Sequence, residues 1–163
     1  MTETTMPPLH EQGWEPYADD TFIGHVASVY VRQTGAVPEF GILTRDIHRN
    51  ISGAVHGGIL MTMFDRAMSV QMWQLRPGER FATASMTTDF LRSGRIGECI
   101  RFEAVVMKSG RNTVFMRAEA WAADRLVGSA NAIFMVAGRA IATEDPIGIP
   151  VGETGYGRKR SER

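Results

Sequence analysis

The chain has 163 residues, 44% of them apolar, enough to bury one proper core and most simply a single domain. Its eighteen basic and eighteen acidic side chains cancel, so the charge balance gives no electrostatic footprint for nucleic acid or an anionic membrane. The single cysteine, Cys99, excludes an intrachain disulfide, and no Cys or His spacing has metal-ligand character; the expectation is a reducing cytoplasm, with no metal.

In chain order, Met1 to Asp20 is polar, is broken by Pro7, Pro8 and Pro16, and lacks the apolar stretch of a signal peptide. Residues 1–21 read as an N-terminal segment in which Trp14 and Tyr17, with Phe22 just beyond, supply a short apolar cover. No run reaches about eighteen apolar residues without a charge, so no membrane span is expected. Val26 to Arg32 is rich in β-branched residues and predicts a strand. After a break at Gly35, Phe40 to Ile47 predicts a second, with Pro38 near its start. His48 follows, with no partner visible in sequence, as a structural or exposed residue that helps shape the entry to the next loop.

The stretch Asn50 to Asp65 is the one whose residues make poor sense as packing alone. A helix is predicted from Gly57 or Gly58 to just before Pro77-Gly78, which cannot continue it. It is apolar on nearly every side, as a helix wrapped by the rest of a fold would be. Its methionines, Met61, Met63, Met68 and Met72, are adaptable core or a flexible lining. Asp65 interrupts this surface. Its helical neighbours three and four residues away are Met61, Thr62, Met68 and Ser69, and Arg66 points about 100° away. A carboxylate left dry and unpaired would cost several kcal/mol, so another part of the fold must solvate it unless it lies in a working cavity or at the helix's exposed edge.

At the other end, the first helical turn offers N–H groups without intrahelical partners, and Gly57 and Gly58 allow close approach to them. Such donors at the positive end of a helix suit an oxygen gaining negative charge. Asn50 is placed to donate to the same oxygen and Gly53 to make the loop turn. The same residues also admit a plain reading, with Gly57-Gly58 as a strand-to-helix turn and Asn50 as a local Asx turn. If Gly57 and Asp65 both act on one group, the rise of ~1.5 Å per residue separates them by about 12 Å along the helix. The acid facing Gly57 must then come from a second copy with its helix antiparallel, which makes a dimer with two composite sites.

Four strand signals follow. They are Phe81 to Leu91, ended by Arg92-Ser93-Gly94-Arg95; Cys99 to Lys108, alternating; Thr113 to Trp121, reached through a hairpin turn at Ser109-Gly110-Arg111-Asn112; and Leu126 to Val136. Cys99 reads as buried filler. From Gly138 the chain turns to Gly, Pro and charge, so 138–163 reads as an extended or disordered tail. Strands, one long buried helix and an antiparallel meander make an α+β fold in which a curved antiparallel sheet wraps one central helix.

The pattern Asn50-x-x-Gly53-x-x-His56-Gly57-Gly58-x6-Asp65 resembles the signature of hotdog-fold acyl-CoA thioesterases, in the phenylacetate-pathway (PaaI-like) branch of the 4-hydroxybenzoyl-CoA thioesterase superfamily. The resemblance spans roughly Phe22 to Val136 and places a hotdog domain at 22–137. It implies that the Gly57 N–H holds a thioester carbonyl with help from Asn50. It further implies that Asp65 arrives across a homodimer or dimer-of-dimers interface as base or nucleophile. His56 would orient the loop. Thr83 falls where the family often carries a Ser that hydrogen-bonds the water or the acid, and Ser85 where many relatives have Asp.

Gly58, Met61 and Ser69 would line the substrate, and Ser69 could hold the carboxylate. Coenzyme A, entering as part of an acyl-CoA substrate with no separate cofactor, would bring phosphates for which Arg92, Arg95, Arg111 and Arg139 are candidates. Two other activities fit this fold. One is an acyl-thioester dehydratase or hydratase, which needs a His working with an acid; the other is a non-catalytic acyl-CoA-binding protein, which would not need Asp65.

Overall fold

The computed structural model describes residues 9–34 and 38–139. The elements are β1 (Glu15–Tyr17), α1 (Phe22–Val26), β2 (Val29–Arg32), β3 (Glu39–Leu43), α2 (Gly57–Leu75), β4 (Glu79–Phe90), β5 (Cys99–Ser109), β6 (Thr113–Ala122) and β7 (Arg125–Arg139). Short 3-10 turns lie at Leu9–Gln12 and Asp46–His48.

The apolar circumference of α2 is explained by what surrounds it. Ile59, Leu60, Met63, Phe64, Ala67, Met68, Val70 and Met72 are buried against a seven-stranded antiparallel sheet. The inner face of that sheet presents Phe40, Ile42, Ile100, Phe102, Met116 and Phe134. Phe64 meets Phe102 edge-on at 5.4 Å between ring centres. Each fully buried side chain of this kind contributes about 1.5–3 kcal/mol. Three of the four helix methionines are core, whereas Met61 is 40% exposed. The helix ends as expected: Arg76 N–H closes on Met72 O, and Gly78 takes a left-handed φ of 74° in the turn to β4. No described helix is long and apolar enough to cross a membrane.

The strands are ordered β1-β2-β3-β5-β6-β7-β4. The meander expected after the helix holds for β5-β6-β7, but β4 crosses to the far edge and pairs with β7 instead of β5. Two strand expectations are corrected. Val26 closes α1, whose last turn is tied by Ala27 N–H to Ile23 O, and the strand starts only at Val29. The second strand stops at Leu43, because Thr44 sends its N–H to Glu98 O and its hydroxyl toward Arg95 O and Glu98 O. The chain then turns into the Asp46–His48 helical turn.

Of the expected N-terminal cover, Trp14 is 3% exposed beneath the Arg32 guanidinium and Tyr17 packs edge-on against Phe40, but Phe22 is 65% exposed. The sheet begins upstream of residue 22, with Glu15, Pro16 and Tyr17 paired to Val31, Tyr30 and Val29. Its last strand runs on to Arg139, opposite Glu79. The rest of the expected tail, 140–163, lies outside the described residues.

Candidate active site

The site is assembled from the start of α2 outward. Asn50 is the hub of the preceding loop: its Oδ1 accepts the N–H groups of Ser52 at 2.9 Å and Ala54 at 3.0 Å, and its own N–H donates to Ala54 O at 2.7 Å. Gly53, at φ 83°, supplies the left-handed residue this turn needs. Asn50 therefore does make an Asx turn, which occupies its oxygen and leaves the carboxamide hydrogens as donors.

His56 is the N-cap of α2. Its Nδ1 accepts the Gly58 N–H at 2.9 Å, and its own N–H donates to His48 O at 2.7 Å. With Nδ1 accepting, the hydrogen of the neutral ring sits on Nε2. Gly58 is thereby not a free donor. The Gly57 N–H has no acceptor among the described residues. It stands at the positive end of a nineteen-residue helix. A Cβ at 57 would lie 2.8 Å from the ring tip of the exposed Phe90, which would have to swing aside.

Two turns along, the half-buried Asp65 accepts a 2.6 Å hydrogen bond on Oδ1 from the Thr83 hydroxyl. The fold thus solvates the acid through β4, as its placement in an apolar helix required. Thr83 stands at a register shift, opposite Phe134 while Ser85 is opposite Ile133. Such bulges re-aim side chains. Ser69 is half-buried, and no hydrogen bond joins it to Asp65 among the described residues.

Of the candidate phosphate ligands, Arg92 donates to Leu126 O at 3.0 Å, near the end of α2 that carries Gly57. Arg111 lies elsewhere. Its turn is held at the opposite end of α2 by Arg76, which bonds Ser109 Oγ at 3.0 Å and Gly110 O at 2.5 Å. That end is about 28 Å from Gly57 along the helix. A single chain therefore does not bring Arg92 and Arg111 together.

Two features escaped the sequence. His48 is buried at 4% exposure, its Nδ1 accepting the Arg45 N–H at 3.1 Å and its Nε2 bonding Val26 O at 2.8 Å. Arg66 is buried in an ion pair with Asp19 at 2.7 Å, between the faces of Tyr17 and Trp73. The burial of His48 had no sequence signal, and the Arg66 pair joins residues 47 apart. Cys99 is buried as expected, and burial pushes its thiol from 9.0 up to about 11.

Residues 52–129 match the sequence profile of the Thioesterase superfamily. A Pseudomonas aeruginosa protein with a provisional esterase name, PA0474, is 31% identical over 88 residues, covering 53% of this chain and 66% of that one. A hypothetical thioesterase from Streptococcus pneumoniae, solved with coenzyme A, superposes with a TM-score of 0.61 at 18% identity, over 69% of this chain and 90% of that chain. The Escherichia coli PaaI protein of the phenylacetic acid degradation operon does so with a TM-score of 0.59 at 21% identity, over 63% and 73%. Structure and profile agree: this is a hotdog-fold chain whose residues 52–129 match the Thioesterase superfamily model.

Proposed function

We propose that the protein is a cytoplasmic acyl-CoA thioesterase, active as a homodimer or dimer of dimers, that hydrolyses acyl-CoA to a free acid and coenzyme A. The Gly57 N–H of one copy, assisted by the Asn50 carboxamide, holds the thioester oxygen as it gains charge. Asp65 of the partner subunit takes the proton of an attacking water or attacks the carbonyl carbon itself. In either route the C–S bond breaks and the thiolate leaves without a strong acid to protonate it; in the second, water then cleaves the acyl–aspartyl anhydride, releasing the acid and restoring the carboxylate. No cofactor or metal is needed beyond the coenzyme A of the substrate.

One observation carries the reading: a carboxylate held by the Thr83 hydroxyl on a largely apolar helix, two turns from an amide with no acceptor among the described residues. Coenzyme A in the Streptococcus pneumoniae neighbour supports the substrate class. The twelve-residue β4, an outer strand with Thr83, Ala84 and Ser85 exposed, offers an open edge for a second copy.

The test is a panel of acyl-CoA thioesters followed by release of free thiol. Asp65→Asn keeps an acceptor for Thr83 but removes the charge, and is expected to lower kcat about 100-fold to 10,000-fold. Turnover unaffected by this change overturns the mechanism, and a panel that binds without release points instead to a non-catalytic acyl-CoA-binding protein.

A further inference from the structure

Beside the start of α2 is a cavity of about 370 Å³. Its apolar walls are Phe22 and Val26 of α1, Ile47 of the 3-10 turn and Ile59 of α2. It also touches His56 and Gly58, the residues on either side of the proposed carbonyl donor. We propose that this cavity receives the acyl group of the thioester and selects compact, apolar acyl groups; the inference rests on the thioesterase reading and deepens it.

The polar side chains of the lining decide between the two arms of an acyl-CoA. Thr62 donates its hydroxyl to Gly58 O at 3.0 Å. Both ring nitrogens of His48 are engaged, with Arg45 N–H and Val26 O. His56 spends Nδ1 on Gly58 N–H and leaves Nε2 as the one unengaged polar side-chain atom of the lining among the described residues. The pantetheine arm carries two amides, each with a donor and an acceptor, which these walls would desolvate without replacing their hydrogen bonds. A hydrocarbon acyl group has no such groups to leave unpaired and gains from every apolar wall.

Size then sets the class. The volume is near the lower end of the roughly 300–1,000 Å³ typical of small-molecule sites, which suits a medium aliphatic chain or a single ring. Phe22 and Ile47, 65% and 70% exposed, stand where a longer chain would have to emerge.

The experiment measures kcat/KM over acetyl-, butyryl-, octanoyl-, palmitoyl- and benzoyl-CoA for the wild type, Val26→Phe and Phe22→Ala. Val26→Phe, which fills the cavity, is expected to lower the octanoyl-to-acetyl ratio about tenfold. Phe22→Ala, at an exposed position that leaves the core intact, is expected to raise the palmitoyl-to-octanoyl ratio. Calorimetric binding of coenzyme A and of its non-hydrolysable octyl thioether supplies a readout independent of turnover. The octyl group should add affinity in the wild type and lose most of that gain in Val26→Phe.

Unchanged acyl ratios in both variants, or Val26→Phe weakening coenzyme A alone as much as the thioether, overturn the assignment; the latter result gives the cavity to pantetheine. A wild type that hydrolyses nothing but shows the octyl-specific gain and its loss keeps the cavity assignment and defeats only the catalytic reading.

Discussion

Removing the Asp19 carboxylate is expected to be among the most damaging single changes outside the apolar core. The Asp19 and Arg66 side chains are 2% and 6% exposed, and their 2.7 Å contact joins the segment before α1 to the middle of α2. Without Asp19, the guanidinium keeps a 3.3 Å bond to Tyr17 Oη and two aromatic faces, and its Nε is without a hydrogen-bond partner among the described residues. Leaving one charge of a buried pair uncompensated costs about 3–5 kcal/mol. Asp19 also accepts from the Thr21 N–H at 2.8 Å and from the Thr21 hydroxyl. Asp19→Ala gives up both as well, at about 1 kcal/mol each.

The expected loss is therefore about 5–7 kcal/mol, against a typical total of roughly 5–15. Urea unfolding at fixed protein concentration reads it as a fall in midpoint with the slope preserved. The double variant Asp19→Leu/Arg66→Met removes both charges and is expected to recover most of the loss. A fall below about 1 kcal/mol for Asp19→Ala, or a double variant as unstable as the single, would refute the claim that the pair is dry and mutually dependent.

Three further outcomes are expected. Thr83→Ser keeps the hydroxyl that donates to Asp65 and should retain most activity, whereas the isosteric Thr83→Val should lower kcat/KM about tenfold or more in the thiol-release assay. Gly128→Ala would put a Cβ 2.9 Å from the main-chain oxygen of Asp89 and should destabilise by about 1–3 kcal/mol in urea titrations. Because the buried Cys99 thiol titrates near 11 while the unfolded thiol titrates near 9.0, the folded state holds its proton more tightly. Its contribution to stability is complete below pH 9 and lost as pH rises through 11, at up to about 1.4 kcal/mol per pH unit between them. Cys99→Ala should flatten that stretch of the stability profile.

What could be read from sequence was what local chemistry dictates. An all-round apolar run bounded by Gly57 and Pro77 could only be a wrapped helix, and the alternation in Cys99–Lys108 could only be a half-buried strand. Asp65 and the glycine pair stood out because packing gives no reason for them. The misses share one cause, which is that partners distant in sequence set the outcome. Thr44 ends β3 through bonds to residues more than fifty positions away. The crossing of β4 to the far edge is a matter of topology, not composition. His56 was assigned to orienting its loop, but which of its nitrogens faces which amide depended on seeing Gly58 fold back onto the ring.

The two histidines have a mechanical consequence. From the Val26 carbonyl through the His48 ring, then from the His48 carbonyl into the His56 amide, hydrogen bonds of 2.8 and 2.7 Å make an unbroken strut between α1 and the first turn of α2. A displacement of α1 is therefore expected to reach the Gly57 amide through these bonds. Filling the space under α1 and aiming that amide become one motion, so across a substrate series tight seating and fast turnover are expected to rise together.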